Sequence, residues 1–202
     1  MFAIVFVILI QYTRNCFIDI TISYRKLIRC FALLLNQDDP KKCSALKLIK
    51  FGAVLPTKSI QHSMLVLNPF ANEVICKIDK TLVESICVID CSWNRAQGVL
   101  TNYKYLRKGI PRRIPGLLAG NPINYARLGR LSSVESLSAC YYILGEKEYA
   151  RLLLNKFKWG HTFLELNHDA LEDYSAAEGR KEIFDIESQY FGNYVLENEG
   201  KP

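Results

Sequence analysis

The sequence has no second long apolar run after its first ten residues and no internal repeat, and it carries only 11 Gly and 7 Pro among 202 residues. The first absence argues against a channel, the second against a solenoid, and the third against collagen-like, low-complexity or disordered chains. GxGxxG and GxSxG are missing, and the Gly-rich stretch GNPINYARLG lacks the lysine of a phosphate loop. Dinucleotide dehydrogenases, serine hydrolases and P-loop NTPases therefore have no motif support. Seven cysteines are present without a CxxC pair, an odd count that reads as reduced thiols and a cytoplasmic location. Cys87 and Cys91 lie close together, but no second Cys or His pair has zinc-ligand spacing, and His62, His161 and His168 are isolated; no metal is expected. Met1–Ile10 is too short for a bilayer span of ~20 residues and lacks a signal peptide's basic start and cleavage site. It reads as an extra strand or an upstream extension, and no membrane partner is expected.

What is present is a folded composition: half the residues are apolar and the formal charge is +6. At roughly 100–200 residues per domain, the chain holds one domain or two small ones, with room for a core and a small-molecule pocket. Charge divides it. Cys91–Val134 carries eight basic residues and no acid, whereas Glu165–Glu199 carries ten acids against Arg180 and Lys181. Acids wholly absent over so long a stretch favour a polyanionic partner at mid-chain over a merely solvated face. Lys156–Gly160, KFKWG, adds cations interleaved with aromatics, which suits phosphates and unpaired bases, although the rings could equally be core.

Short β-branched runs predict strands at Leu27–Leu35, Met64–Leu67 and Ser85–Asp90. The second half turns helical. Ser132 followed by Glu135 forms a capping-box pattern that starts a helix running to about Leu144, and further helices are expected over Glu148–Phe157, His168–Ala176 and Arg180–Leu196. The fold class is α/β with a helical C-terminal half, and a boundary is expected between Lys58 and Met64. Ligands of α/β sheets bind beyond the carboxyl ends of strands, which makes Asp90, at the end of the run CVID, the best acid or base. Its alternative is a turn carboxylate bonded to backbone amides. Trp93 is either core or a wall for a cationic ligand. Arg112–Glu135 is a long loop rich in Gly, Pro and Asn whose apolar residues argue against disorder and for a functional role.

Five blocks then carry a resemblance in collinear order: DPKKCS (Asp39–Ser44), LNP (Leu67–Pro69), VIDCSW (Val88–Trp93), AGNPINYARLGRLSSVE (Ala119–Glu135), and KFKWG with FLELN (Lys156–Asn167). Over roughly residues 28 to 176 the sequence resembles the small-subunit rRNA aminocarboxypropyltransferases, enzymes of ribosome biogenesis that finish a hypermodified pseudouridine. The resemblance implies an N-terminal α/β lobe at about 27–60, then a SPOUT-like, knotted lobe over 61–202 that binds S-adenosylmethionine and RNA. Residues 1–26 match nothing and stand as an extension.

Carried onto matching positions, the resemblance implies an adenine pocket of Leu67, Pro69, Leu118 and Ser133, with Ser44 and Ile89 at the ribose. Asp90, Trp93 and Ala96 would surround the methionine part. The expected reaction moves the 3-amino-3-carboxypropyl group of S-adenosylmethionine to N3 of a (methyl)pseudouridine. In it Asp90 takes the proton or stabilises the sulfonium, and Trp93 fixes the amino-acid end. Arg112, Arg113, Arg127, Arg130, Lys156 and Lys158 would hold the RNA backbone, with Trp159 stacking on a base. The expected partner is small-subunit rRNA or a pre-ribosomal particle, bound by a monomer. Two departures stand out: Asn36, Gln37 and Asp38 occupy the stretch where the family usually has Cys, and Ser44 replaces the commoner Thr. The alternatives are a SPOUT-type RNA methyltransferase and a non-catalytic rRNA-binding assembly factor.

Overall fold

The computed structural model describes residues 27–37, 39–40, 42–101 and 108–192, so the expectation for Met1–Ile10 lies outside the described residues. The strands are β1 (Arg29–Leu34), β2 (Leu55–Thr57), β3 (Met64–Leu67), β4 (Ser85–Asp90) and β5 (Ile110–Arg112). They form one wholly parallel sheet in the order β2-β1-β4-β3-β5. β4 is central, pairing Arg29–Leu34 on one side and Met64–Leu67 on the other. The strands either side of the boundary expected at residues 58–64 thus share one sheet.

Parallel strands buried on both faces should read as continuous apolar runs, as MLVL and ICVI do. Their period of two sorts alternate residues into two cores. Cys30, Ala32, Leu65, Ile86 and Val88 face a large core, while Leu33, Met64, Val66, Cys87 and Ile89 face a small one.

Helix α1 (Ser44–Lys50), the short α2 (Asp79–Leu82) and α3 (Trp93–Leu100) lie among the strands. After β5 come α4 (Ser133–Ile143), α5 (Lys147–Leu154), α6 (Gly160–Leu166), α7 (His168–Ala176) and α8 (Arg180–Phe191). Ala96 and Leu100 of α3 close the small core. Helix α4 is buried along almost its whole length and packs on β4, α1, α5 and α7, so it is the axis of the helical half. The capping box at Ser132 and Glu135 forms as expected. Helix α8 turns Ile183 and Glu187 inward, leaving Phe184 and Tyr190 partly exposed, a narrower apolar stripe than its sequence suggests. Among the described residues no helix is long and apolar enough to cross a membrane.

Candidate active site

β3 is followed at once by Asn68, whose position is fixed three ways. Its amide N–H donates to Arg112 O (2.9 Å), its Nδ2 donates to Leu100 O (3.0 Å), and its Oδ1 accepts from Phe70 N (3.0 Å). This Asx turn drives Pro69 and Phe70 up beside the neighbouring strand end. There β4 releases Asp90, and α3 begins three residues later at Trp93. A cavity of about 1010 Å³ opens above these strand ends, floored by Leu67, Ile89 and Ala96 and rimmed by Phe70, Leu131 and Phe184. Such a cavity accommodates a nucleoside joined to an amino-acid chain.

Asp90 sits where the N-termini of α1 and α4 converge. Its Oδ1 accepts from Ser133 Oγ (2.7 Å) and its Oδ2 from Cys43 Sγ (3.1 Å). Cys43 is also the cap of α1, its sulfur accepting from Leu46 N at 3.1 Å. Burial, reinforced by the adjacent Asp90 carboxylate, pushes the Cys43 thiol up to about 12, so it stays protonated and donates. Ser44 Oγ accepts from Val134 N (3.3 Å), tying the two helix starts together. The carboxylate thus has both oxygens held and its plane fixed. Of the two readings open for Asp90, its contacts here run to side chains rather than to turn amides.

Trp93 lines the same cavity, with Nε1 donating to Leu131 O (3.2 Å) and the Arg130 guanidinium 5.0 Å from the ring centroid. One aromatic face therefore already carries a cation. Ser44, Leu67, Pro69, Ile89, Asp90, Trp93, Ala96 and Ser133 all line this cavity. Leu118 does not: its N–H and C=O are bonded to the Asn167 side chain (2.7 and 2.8 Å), away from the cavity wall. Cys43, Asn68, Phe70, Leu131 and Phe184 were missed by sequence reasoning. The signal for Cys43 and Asn68 lay in the blocks DPKKCS and LNP that contain them.

The cations divide. Arg112 is buried, with Nε on Asp79 Oδ1 (2.9 Å) and Nη1 on Glu73 (3.0 Å), and Arg180 joins the same Asp79. Arg113 makes a bidentate pair with the buried Glu187 (2.7 and 2.7 Å) and stacks on Phe184. Both arginines are engaged by carboxylates within the fold, unlike a guanidinium turned wholly outward to an RNA. Arg127, Lys156 and Lys158 are exposed, Arg130 is half-buried, and Trp159 leans on Phe157 at 5.3 Å against the core.

The loop from β5 to α4 is pinned from three helices. Fully buried Glu135 accepts from Gly120 N (2.7 Å), Asn121 N (2.9 Å), Asn121 Nδ2 (2.8 Å), Ser132 N (2.7 Å) and Ser132 Oγ (2.6 Å). Asn167 clamps Leu118, and Glu187 accepts from Gly116 N (2.6 Å).

A family profile described as "Ribosome biogenesis protein, C-terminal" matches residues 65–191. A second, "Possible Fer4-like domain in RNase L inhibitor, RLI", matches residues 33–59. That segment holds a single cysteine, the protonated Cys43, and among the described residues no cluster of three metal-ligating side chains occurs. It does not fit an iron–sulfur cluster, which needs several thiolates. A 16S rRNA aminocarboxypropyltransferase of Thermoplasma volcanium is 43% identical over 166 residues, covering 80% of this chain and 98% of its own. One of Thermoplasma acidophilum is 40% identical, over 82% of this chain and 100% of its own. The solved structure of a SAM-dependent rRNA acp-transferase from Vulcanisaeta distributa superposes with a TM-score of 0.72 at 35% identity, covering 79% of this chain and 89% of that one.

Proposed function

Because this chain belongs to the 16S rRNA aminocarboxypropyltransferase family, we propose that it transfers the 3-amino-3-carboxypropyl group of S-adenosylmethionine to N3 of a (methyl)pseudouridine in small-subunit rRNA. The observation that supports the site assignment is the cavity at the ends of β3 and β4, apolar on its floor and carrying a doubly tethered carboxylate on one wall. When bound, S-adenosylmethionine supplies a sulfonium with several electrophilic carbons, and the protein's task is to choose among them. In this reading Leu67 and Pro69 take the adenine side, Ser44 and Ile89 lie at the ribose, and Ala96 lies at the methionine part. Asp90 and Trp93 hold the aminocarboxypropyl arm in line with the incoming nitrogen. Holding reacting atoms at ~3–3.5 Å lowers a barrier by roughly 7–11 kcal/mol, so orientation is the main catalytic device.

Asp90 directs a fixed negative charge at the cationic donor or takes the imide proton, and its tethers to Cys43 and Ser133 keep it from turning away. Arg127, Arg130, Lys156 and Lys158 hold the RNA backbone, with Trp159 beside them. The segment between β5 and α4 is the knotted region of a SPOUT-like lobe formed by residues 61–202. Residues 27–60 form the lobe that brings Cys43 and Ser44 to the cleft. The enzyme acts as a cytoplasmic monomer.

The test is incubation with small-subunit rRNA and S-adenosylmethionine labelled in either the carboxyl or the methyl carbon. Carboxyl label in the RNA, with methyl label leaving as methylthioadenosine, is the expected result. Methyl label in the RNA makes the protein a methyltransferase, and RNA binding without either label makes it an assembly factor.

A further inference from the structure

The loop between β5 and α4 contains a small hairpin whose tip has no role in the catalytic reading. Leu118 and Leu128 form an antiparallel bridge, and Ala119 N donates to Arg127 O (3.1 Å) while Ala126 N donates to Ala119 O (2.7 Å). Inside the turn, Asn121 Oδ1 accepts from Ile123 N (3.2 Å) and Asn124 N (3.0 Å). The base of the hairpin is closed by Glu135, and Gly120 packs so tightly on α6 that a Cβ there would lie 2.6 Å from Phe163 N. Ala126 has φ +57°, a left-handed conformation that a non-glycine residue keeps only where its surroundings over-determine it.

A tip this firmly held would be expected to be polar, yet Ile123 is 68% exposed and Tyr125 57% exposed. Ile123 and Asn124 line the mouth of the cleft that contains Asp90, and exposed Arg127 follows two residues after Tyr125. The chain around them carries no acid from Cys91 to Val134.

We propose that Ile123 and Tyr125 form a preorganised stacking platform for unpaired bases of the RNA, beside the cleft and flanked by Arg127. The inference rests on the RNA-modifying reading and deepens it: the site takes a single-stranded rRNA segment rather than a duplex. Paired bases hide their faces inside the helix, whereas an unpaired base presents a flat apolar surface that aromatic and aliphatic side chains accept irrespective of sequence. Rigidity matters because a platform already in place loses little freedom on binding. The cations supply attraction to the backbone, and the apolar tip supplies discrimination between unpaired and paired RNA.

The experiment is fluorescence anisotropy of the full chain with oligouridine RNA and with a fully paired duplex RNA, alongside calorimetry with S-adenosylmethionine. Tyr125→Ala is expected to weaken oligouridine binding by about 5- to 150-fold, the range for loss of one base stack. Duplex binding and S-adenosylmethionine affinity stay unchanged, and Tyr125→Phe retains full affinity. Because the side chain is exposed, thermal melting should match the wild type. Oligouridine affinity unchanged in both Tyr125→Ala and Ile123→Ser overturns the proposal, as does an equal loss on duplex. Failure of the wild-type protein to transfer label would overturn the catalytic reading alone, since the anisotropy comparison does not depend on transfer.

Discussion

Replacing Glu135 by Gln keeps the size of a fully buried side chain and reverses the polarity of one of its two terminal atoms. If the new amide nitrogen takes the place of Oε1, the N–H groups of Gly120 and Asn121 face a donor; if it takes the place of Oε2, Asn121 Nδ2 and Ser132 N do. Either way two buried donors lose their acceptor. At about 1–3 kcal/mol for each, the substitution costs about 2–6 kcal/mol. That is a large share of the roughly 5–15 kcal/mol by which a domain is stable. Urea titration measures it: the midpoint of Glu135→Gln should fall with the slope little changed. A loss below about 1 kcal/mol would refute the reasoning, because it would mean that the loop does not depend on this carboxylate.

Arg127→Ala and Lys158→Ala should each reduce the salt dependence of RNA binding, by about 0.7–0.9 in the log–log slope for each phosphate contact removed. Arg113→Met should leave that slope alone and lower stability by about 3–5 kcal/mol, since Glu187, only 3% exposed, is left buried without its partner. The reverse pattern, measured by binding at several salt concentrations and by urea titration, would restore Arg113 to the RNA face. Stability should also fall with alkali. Burial pushes the Cys87 thiol from 9.0 up to about 12, so above pH 9 the unfolded chain loses this proton while the folded one keeps it. The contribution is complete below pH 9 and declines at up to about 1.4 kcal/mol per unit until about pH 12. Cys87→Ala should flatten the pH dependence of the urea midpoint, and an identical slope in the variant counts against the assignment.

The elements legible in the sequence were those whose signal is local. Met64–Leu67 and Ser85–Asp90 are short apolar runs buried on both faces, and the strands begin and end at those residues. Ser132 and Glu135 announce α4 because capping is an exchange between neighbours. By contrast, SALKLIK is too short to show periodicity, and α1 starts at a cysteine rather than at a usual cap. The edge strands β2 and β5 are three residues each and contain Pro56 and Pro111, which weakens any strand signal.

At the site, Asp90 could be read from its place at a strand end, and the cavity is built around it. Its tethers could not. Cys43 lies 47 residues and Ser133 43 residues away in sequence, and only the sheet order brings them together. The ion pairs of Arg112 and Arg113 were hidden for the same reason. Both arginines sit in a stretch without acids, but their partners Asp79 and Glu187 come from 33 and 74 residues away. A charge run describes what a segment carries, and the fold decides which of those charges meet water.

The placement of β4 between β1 and β3 bears on how the chain assembles. Both neighbours are synthesised before it, so until residue 90 has emerged they flank an empty slot and expose unpaired edges to it. The sheet cannot be completed by adding strands outward in order: β4 is inserted between two strands made earlier, and β5 is added outside β3 only afterwards. A nascent chain halted at residue 90 therefore holds the central strand and its terminal carboxylate but not Ala96, Leu131 or Ser133, so the cleft above the strand ends is finished only from the later half of the sequence.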